Sequence, residues 1–267
     1  MRLEAFQNWL SQFSSVAVAF SGGVDSSVLL AAAVRAVGAE NVVALTVVAE
    51  TVPEVERQEA ARVAQTLGVK HQFVTASPMG NPEFLRNDRL RCYYCKRVLF
   101  GELLKVTQAL GVAVLLEGSN ADDARAYRPG AQAIAELGVP SPLRDFEFTK
   151  QEIRALAAEW GLSVATKPST PCLATRLEYG LPVTVELLRK VEMAEQCVRE
   201  VLGGEGHAFR VRVHANGLAR LELDDALRQA LMADAGKQAE LNQRLRELGF
   251  RHVTLDLAGF RSGSWDV

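Results

Sequence analysis

Extended, largely apolar runs alternate with amphipathic segments in the N-terminal part of the chain. The runs predict strands inside a sheet, at residues 16–20, 41–48, 70–74 and 112–116. The amphipathic segments predict helices, from residue 28 onward and at 53–67, 96–110 and 148–161. Strands that alternate with helices favour right-handed crossovers between parallel strands. The pattern therefore predicts an α/β fold with helices on both faces of a parallel sheet.

The pattern changes after a turn at residues 180–182. Beyond this turn we predict a helix, two hairpin strands, a second helix and a last strand, at 183–202, 209–214, 218–223, 224–248 and 252–257. Asn216 and Gly217 separate the two hairpin strands and favour a tight turn between them. We therefore predict two domains, 1–180 and 181–267, of which the second is a small α/β domain.

The turn after the first predicted strand is rich in small residues. It reads Ser21, Gly22, Gly23, Val24, Asp25, Ser26 and Ser27. Gly22 and Gly23 allow a positive φ and a close approach of the backbone to a ligand. Ser26 or Ser27 can cap the following helix, whose free N–H groups and dipole favour negative charge. The turn indicates a pyrophosphate site; a glycine-serine turn without a chemical role is the alternative.

Two details of this turn restrict its chemistry. It lacks the lysine of the pattern G-x-x-x-x-G-K-[ST], so it is not the loop that holds the β- and γ-phosphates in γ-phosphoryl transfer. Asp25 places a carboxylate beside the phosphates, which fits a magnesium ion between them. The alternative for Asp25 is an acidic residue in the first turn of a helix.

The composition is that of an ordinary globular protein. Of the 267 residues, 48% are hydrophobic, and the mean hydropathy is +0.03. The formal charge of −2 and the isoelectric point near 6.1 provide no general attraction to nucleic acid or to an anionic membrane. No apolar run reaches the ~18 residues of a membrane span, and the first residues contain no apolar stretch of signal-peptide length. We expect a cytoplasmic protein without membrane association or a stable nucleic-acid partner.

The four cysteines are too few and too unevenly spaced for a disulfide framework, which leaves catalysis or metal binding. Cys92 and Cys95 form a C-x-x-C at a predicted helix start, flanked by cations, and offer two ligands from one turn. Cys172 follows Pro171 and precedes the sequence Leu-Ala-Thr-Arg. Cys197 falls within the predicted helix 183–202, where we expect it to be a small buried hydrophobic residue.

Three segments together resemble the PP-loop ATP pyrophosphatase superfamily: the turn at 21–27, the strand-end cluster at 117–123 and the stretch from 141–143 to 172–176. Over nearly its whole length, including residues 253–264, the chain is similar to the LarE family of sulfurtransferases. The turn alone is shared with NAD synthetases, GMP synthetases and tRNA thiolases. The resemblance implies a sheet of the adenine nucleotide alpha-hydrolase type and a C-terminal domain for substrate binding and oligomerisation.

The resemblance also implies a reaction. LarE enzymes use ATP and Mg²⁺ to adenylylate a carboxylate of pyridinium-3,5-biscarboxylic acid mononucleotide, release pyrophosphate and replace the activated oxygen by sulfur. The product serves the nickel-pincer cofactor of lactate racemase. By the resemblance, the nucleotide is held by Ser21, Gly22, Gly23, Asp25, Ser26 and Ser27. Asp122 or Asp123 then assists the metal and the nucleotide, with a helix N-terminus as the alternative for these two acids.

The origin of the sulfur stays open at this point. Cys172 corresponds to the sulfur-carrying cysteine of LarE relatives, which in one form surrenders its own sulfur, is left as dehydroalanine and turns over once. Cys92 and Cys95 resemble the additional ligands of a three-cysteine variant, in which a [4Fe-4S] cluster leaves one iron free. The interpretations are a cluster on Cys92, Cys95 and Cys172, a sacrificial Cys172, or a zinc site or redox disulfide.

Arginines are the candidates for substrate binding. Arg210 and Arg212 alternate along a predicted strand and project to one face, and the resemblance implies that they clamp a substrate phosphate. The alternative is the solvated face of an edge strand. Arg176 can hold a carboxylate near the sulfur donor, with a surface ion pair as the alternative. Glu192 and Glu195, on the predicted helix 183–202, are expected to be solvated, with a contact to a metal or to the substrate as the alternative.

The resemblance further implies a small pyridinium mononucleotide as substrate and a homo-hexamer of three dimers. Two other functions remain as alternatives. A tRNA-thiolating PP-loop enzyme needs a basic surface and usually extra zinc-binding cysteine pairs, and neither is visible in the sequence. A PP-loop amide synthetase uses ammonia, which leaves Cys172 without a role.

Overall fold

The computed structural model describes residues 2–125, 129–168, 170–204, 206–261 and 265. Its helices of at least one α-turn are α1 Arg2–Leu10, α2 Val24–Val37, α3 Glu54–Thr66, α4 Pro82–Leu85, α5 Arg91–Ala109, α6 Pro129–Glu136, α7 Pro142–Asp145, α8 Lys150–Glu159, α9 Val185–Leu202, α10 Asp225–Met232 and α11 Ala235–Glu247. Its strands are β1 Val16–Ala19, β2 Val42–Val48, β3 Lys70–Thr75, β4 Val114–Leu116, β5 Phe209–Val213, β6 Leu218–Leu223 and β7 His252–Leu255. Residues 262–264, which end the segment similar to LarE, lie outside the described residues.

The chain forms two compact units. The N-terminal unit consists of Met1–Asn81 and Leu90–Lys167, and the C-terminal unit consists of Pro82–Arg89 and Pro168–Val267. The domain boundary that we predict after residue 180 stays a prediction. Within the described residues, the structure contains no helix that is both long and apolar enough to cross a membrane.

The sheet of the N-terminal unit has four parallel strands in the order β3-β2-β1-β4. Successive residues of β1 face opposite sides of this sheet. Val16 and Val18 join a core with residues of α1, α2, α3 and α8. Ala17 joins a second core with residues of α5 and α6. Helices therefore cover both faces of the sheet, which confirms the predicted α/β fold.

The strand order creates a switch point between β1 and β4. The chain runs outward from β1 through β2 to β3 and then returns to the other side of β1. In open α/β sheets, the crevice at the carboxyl ends of two such strands is where ligands bind. The turn at 21–27 follows β1, and residues 117–120 follow β4. The fold thus brings two of the three segments of the resemblance to this point.

The start of α8 agrees with the sequence. The Thr149 hydroxyl accepts a hydrogen bond from the Glu152 backbone N–H, and the Glu152 carboxylate accepts one from the Thr149 backbone N–H. This reciprocal capping box satisfies two N–H groups that a helix otherwise leaves without partners. It fixes the position of Lys150, the first residue of α8.

The C-terminal unit has a mixed sheet of three strands. Strands β5 and β6 are antiparallel, as the predicted hairpin requires, and β7 lies parallel to β6. Residues 82–89 belong to this unit because the buried side chain of Asn87 donates hydrogen bonds to the carbonyls of Glu178 (2.8 Å) and Leu181 (2.7 Å). A separate small α/β unit is therefore present near the C-terminus.

One predicted helix is wrong in its extent. Residues 224–248 form two helices, α10 and α11, rather than one. Asp234 lies between them, and its carboxylate accepts a hydrogen bond from the Lys237 backbone N–H at 3.0 Å. An aspartate in this position caps a new helix, so it ends the first one and starts the second.

Candidate active site

The turn that joins β1 to α2, called the phosphate loop here (residues 21–27), has little free volume on one side. Gly22 has a φ of 71°, and a Cβ at this position would lie 2.9 Å from the backbone N and Cα of Ala60 in α3. A side chain at this position is therefore excluded both by the backbone conformation and by the close approach of α3.

Ser21 and Ser26 of the phosphate loop form hydrogen bonds within the loop itself. Ser26 Oγ donates to the Gly23 carbonyl at 3.1 Å and accepts from the Ser21 backbone N–H at 3.3 Å. Gly23 is the N-cap of α2, and no side chain of the described residues caps this helix. Our prediction that Ser26 or Ser27 caps α2 is wrong, because both serines lie inside its first turn. The N–H groups at the start of α2 consequently face an end without a side-chain acceptor.

Ser27 is the least satisfied side chain of the loop. It is fully buried, and its Oγ has no hydrogen-bond partner within the described residues. Buried hydroxyl groups normally have a partner. The Ser27 hydroxyl and the free N–H groups at the start of α2 form a set of hydrogen-bond donors that fits a pyrophosphate group. Gly22 and Gly23 allow such a group to approach the backbone closely.

Asp25 links the loop to two other segments. Its Oδ1 accepts a hydrogen bond from Asn120 Nδ2 at 3.1 Å, and its Oδ2 lies 2.5 Å from Lys150 Nζ. About a quarter of the Asp25 side chain remains exposed. A partly exposed carboxylate at the edge of an anion site has the oxygen donor chemistry that Mg²⁺ prefers. The sequence identified Asp25, but it gave no indication of Asn120 or Lys150 as its partners.

Asp122 and Asp123 have partners in the protein backbone. Asp122 accepts from the Lys150 backbone N–H at 2.8 Å, and Asp123 accepts from the Asn120 backbone N–H at 3.1 Å. These bonds position the two segments that contact Asp25. A role of either aspartate toward a metal or a nucleotide stays a prediction.

The residues that follow β4 lie in close contact with the phosphate loop. A Cβ at Gly118 would lie 3.0 Å from the backbone N of Ser26. The preceding residue, Glu117, is buried and accepts hydrogen bonds from the hydroxyls of Ser141 and Ser119. Glu117 therefore holds the β4 end in place, a function that the sequence did not reveal.

Lys167 reaches the loop from its other side. Its Nζ lies 2.8 Å from a carboxylate oxygen of Glu56 in α3 and 3.5 Å from the Gly22 carbonyl oxygen. The ion pair joins the end of the N-terminal unit to α3. Lys167 thus stabilises the loop conformation through the backbone.

Cys92 and Cys95 lie at a helix start, as predicted, but α5 begins at Arg91, five residues before the predicted start at residue 96, so both cysteines lie inside its first turn and a half. Cys95 is buried and Cys92 is half-buried. The start of α6 approaches closely, because a Cβ at Gly130 would lie 3.4 Å from the Cys92 carbonyl oxygen. Across the residues that the structure describes, no group of three or more His, Cys, Asp or Glu side chains is arranged to hold a metal ion. A cluster on Cys92, Cys95 and Cys172 stays a prediction, since Cys172 belongs to the C-terminal unit.

Cys172 precedes a short 3₁₀ turn, Leu173–Arg176, and is half-buried. The buried side chain of Arg176 stabilises this turn through hydrogen bonds to its backbone. Its Nη1 donates to the carbonyls of Pro171 (2.6 Å) and Cys172 (3.2 Å), while its Nε and Nη2 bind the Glu195 carboxylate at 2.8 and 3.1 Å. The side chain is 2% exposed, so Arg176 forms a buried ion pair rather than a surface one. Its predicted contact with a substrate carboxylate stays a prediction.

Arg210 and Arg212 are buried, at 3% and 1% exposure. The alternative interpretation, in which they lie on the solvated face of an edge strand, is therefore wrong. Arg212 binds Glu222 through its Nε at 2.9 Å, but its Nη2 has no partner within the described residues. No hydrogen bond or ion pair of Arg210 occurs among the described residues; its guanidinium carbon lies 4.8 Å from the Phe260 ring centre. Burial, followed by repulsion from Arg212 and Arg176, lowers the pKa of Arg210 to about 10.

Arg176, Arg210 and Arg212 outnumber their buried acidic partners, Glu195 and Glu222. An excess positive charge in a buried site is costly unless an anion compensates it. The arrangement can therefore bind a phosphate or a carboxylate. Our expectation that Glu195 is solvated is wrong: it continues the apolar stripe of α9 and is buried beneath Arg176.

Two further side chains complete this picture. The Thr175 carbonyl accepts two hydrogen bonds, one from Trp265 Nε1 at 3.0 Å and one from Arg212 Nη1 at 2.6 Å.

Cys197 is only half-buried, and burial raises the pKa of its thiol. Cys197 is thus less buried than the predicted buried hydrophobic residue, and the raised pKa keeps its thiol unionised at neutral pH.

Comparisons with known proteins give a family and several relatives. The NAD synthase family model matches residues 7–81. An uncharacterized protein of Synechocystis sp. is 37% identical over 98% of this chain and 96% of its own. The pyridinium-3,5-bisthiocarboxylic acid mononucleotide synthase of Lactiplantibacillus plantarum is 35% identical over 95% of this chain and 90% of its own. The tRNA-specific 2-thiouridylase of Trichlorobacter lovleyi is 31% identical over 58% of this chain and 52% of its own.

Proposed function

Because the chain belongs to the LarE family of PP-loop sulfurtransferases, we propose that it converts a carboxylate of a pyridinium mononucleotide into a thiocarboxylate at the expense of ATP. The substrate is pyridinium-3,5-biscarboxylic acid mononucleotide, and the product is a precursor of the lactate racemase cofactor. The observation that carries this proposal is the phosphate loop, which joins an uncapped helix N-terminus, an unpaired buried hydroxyl and a carboxylate.

The first step is an adenylylation. A carboxylate oxygen of the substrate attacks the α-phosphorus of ATP, and the bond between the α-phosphorus and the bridging oxygen breaks. Pyrophosphate leaves with the electron pair of that bond, and the substrate becomes an acyl adenylate. The proposed role of Ser21, Gly22, Gly23, Ser26 and Ser27 is to stabilise the charge that develops on pyrophosphate. Mg²⁺, held by Asp25 with or without Asp122 or Asp123, would neutralise part of the same charge.

The buried arginines of the C-terminal unit are proposed to hold the substrate. Arg212 Nη2 has no hydrogen-bond partner within the described residues, and the neighbouring Arg210 guanidinium contacts the Phe260 ring. A phosphate accepts two parallel N–H bonds from such groups. The mononucleotide phosphate would thereby compensate the excess positive charge. Arg176 holds the backbone at Cys172, so we assign it a positioning function in addition to any contact with a substrate carboxylate.

The second step brings in sulfur. A sulfur nucleophile attacks the carbonyl carbon of the acyl adenylate, and AMP leaves with the former carboxylate oxygen. If Cys172 is itself the donor, its thiolate forms a thioester, and loss of the Cys172 α-proton then breaks the Cβ–S bond. The products are a thiocarboxylate and dehydroalanine. The half-buried Cys172 at the start of a short turn, with its backbone held by Arg176, supports either sulfur route.

A [4Fe-4S] cluster on Cys92, Cys95 and Cys172 is the proposed alternative source. Such a cluster would supply a sulfide on the iron that lacks a protein ligand. Two cysteines in one helical turn fit cluster ligation in their spacing and their donor chemistry.

We further propose that the protein is cytoplasmic and that six copies of the chain form a homo-hexamer, as the resemblance to the LarE family implies.

The experiment is a single-turnover assay under anaerobic conditions, with ATP, Mg²⁺ and the dicarboxylate mononucleotide. We expect AMP and pyrophosphate in equal amounts and a thiocarboxylate product. Loss of one sulfur mass from the polypeptide identifies the sacrificial route, whereas unchanged polypeptide mass with about four bound irons identifies the cluster route. ADP and inorganic phosphate as products would overturn the proposal, and so would sulfur recovered in tRNA when bulk tRNA replaces the mononucleotide. Asp25→Asn is the matched variant and is expected to release no pyrophosphate.

A further inference from the structure

We propose that Lys150 exchanges partners during nucleotide binding: its ammonium group pairs with Asp25 in the free protein and with phosphate oxygens once Mg²⁺ occupies the Asp25 carboxylate. The inference rests on the proposed function, because it assumes that the phosphate loop binds Mg²⁺ and pyrophosphate. It assigns a positioning cation to a loop whose own sequence has none.

The ion pair is the starting observation. Lys150 Nζ lies 2.5 Å from Asp25 Oδ2, and the two side chains are 33% and 24% exposed. The pair is therefore accessible from solvent, so a hydrated metal ion can reach Asp25. A metal ion and an ammonium group cannot both bind the same carboxylate oxygen at short distance, because their charges repel each other.

The backbone of Lys150 is fixed while its side chain has room to move. Its N–H donates to Asp122 Oδ2 at 2.8 Å, and the capping box of Thr149 and Glu152 surrounds it. Helix α8 also packs on α2, the helix that begins in the phosphate loop. A lysine has a long flexible stem with three donors at its end, so its ammonium can shift between neighbouring oxygens without backbone movement.

The phosphate loop needs a positively charged side chain from another segment to balance the charge of a bound pyrophosphate. Residues 21–27 contain Asp25 but neither lysine nor arginine. Pyrophosphate departs with more negative charge than one Mg²⁺ neutralises. Among the described contacts of the loop, lysine side chains reach it twice, and Lys167 is already bound to Glu56 and to the Gly22 carbonyl. Lys150 is the lysine whose partner is the loop's own carboxylate.

The exchange predicts two effects of opposite sign. Without phosphate, Lys150 competes with a metal ion for Asp25, so its removal strengthens the binding of the metal alone. With phosphate, Lys150 contributes a charge-assisted hydrogen bond, so its removal weakens binding. If Lys150 had only a structural role, its removal would damage the loop and would weaken the binding of the metal alone as well as the binding of phosphate with the metal.

The test compares Lys150→Met, Lys150→Arg and the wild-type full chain. Lys105→Met serves as the control, because Lys105 is an exposed cation of α5 paired with Glu102. Binding of Mn²⁺ alone is measured by electron paramagnetic resonance, and binding of pyrophosphate with saturating Mg²⁺ is measured by calorimetry. Neither readout requires sulfur transfer.

We expect Lys150→Met to bind magnesium pyrophosphate about 10- to 100-fold more weakly, as for a lost hydrogen bond to a charged group. We expect the same variant to bind Mn²⁺ alone about threefold more tightly, because a neighbouring positive charge is gone. Lys150→Arg retains most of the pyrophosphate affinity, and Lys105→Met is unchanged in both assays.

Two outcomes would overturn the inference: unchanged pyrophosphate binding by Lys150→Met, or weaker binding of both ligands with no gain for Mn²⁺. A wild-type protein that binds neither ATP nor magnesium pyrophosphate would instead overturn the proposed function. The two failures are therefore distinguishable from the same titrations.

Discussion

Arg176 and Glu195 form a buried ion pair with two hydrogen bonds, Nε to Oε1 at 2.8 Å and Nη2 to Oε2 at 3.1 Å. The pair joins the turn that follows Cys172 to helix α9. Because the remaining donors of Arg176 bind the carbonyls of Pro171 and Cys172, the position of the cysteine depends on a carboxylate more than twenty residues away in sequence.

The substitution Glu195→Gln leaves the Arg176 charge buried without its counter-ion. We expect it to lower the free energy of unfolding by about 3 kcal/mol, the typical cost of breaking a buried pair. Glu200→Gln is the matched control on the same helix, since Glu200 is exposed and pairs with Arg244. The control is expected to cost less than about 1 kcal/mol. Equal losses in urea unfolding of the two variants would contradict the assignment of Glu195.

The substitution Gly22→Ala tests the close approach of the phosphate loop to α3. It combines a positive φ with a Cβ 2.9 Å from Ala60 backbone atoms, so the loop must move. We expect a loss of about 2 kcal/mol or more in stability and no measurable ATP binding. Gly111→Ala has a similar φ, 67°, with no atom within 4 Å of the added Cβ. It should cost about 1 kcal/mol and leave ATP binding intact, and a loss of ATP binding there would point to a nonspecific effect.

Arg210 and Arg212 are expected to respond differently to replacement by methionine. Arg210→Met removes a buried charge that has no ion-pair partner among the described residues, so stability should stay constant or rise by about 1 kcal/mol. Arg212→Met removes the 2.9 Å bond to Glu222, which keeps its ion pair with Arg220 at 3.3 Å, and should cost about 2 kcal/mol. Both should raise the KM for the mononucleotide about tenfold or more. Normal substrate binding by Arg210→Met would remove this arginine from the proposed phosphate site.

The capping box of α8 makes stability depend on pH. Hydrogen bonds from Thr149 and from Arg2 lower the pKa of Glu152 from 4.5 to about 2. A depressed carboxyl pKa stabilises the fold above the unfolded value, and this stabilisation is lost as the pH falls from about 4.5 toward 2. Because the side chain is 41% exposed, we expect a contribution of at most about 1 kcal/mol at neutral pH.

Unfolding of Glu152→Gln and of the wild type, followed across this pH range, provides the measurement. The stability difference between them should shrink as the pH decreases below 4.5. A difference that stays constant down to the acid limit would show that the carboxylate charge has no part in the cap.

The sequence contained the information for the sheet and for the phosphate loop, because both are local patterns. Alternating residues of β1 enter different cores, and the small residues after β1 form the predicted turn. The extent of helix 224–248 was misjudged since the amphipathic pattern continues through Asp234, whose capping function depends on backbone geometry.

The partners of the site residues were harder to predict. Lys150 contacts Asp25 across 125 positions of sequence, and only the packing of α8 on α2 brings them together. For Glu195 a signal was present: it follows Leu188 and Val191 and precedes Val198 on the apolar stripe of α9. An acid on such a stripe is typical of a buried partner for a cation, and Arg176 fulfils that expectation.

The most direct test of the account follows one oxygen atom. The substrate is prepared with heavy oxygen in its carboxylates and is converted in a single turnover with ATP and Mg²⁺. If the carboxylate is adenylylated before sulfur enters, each thiocarboxylate formed leaves one heavy oxygen in the phosphate of AMP. Thiocarboxylate formed without heavy oxygen in AMP would contradict the adenylylation on which the whole account depends.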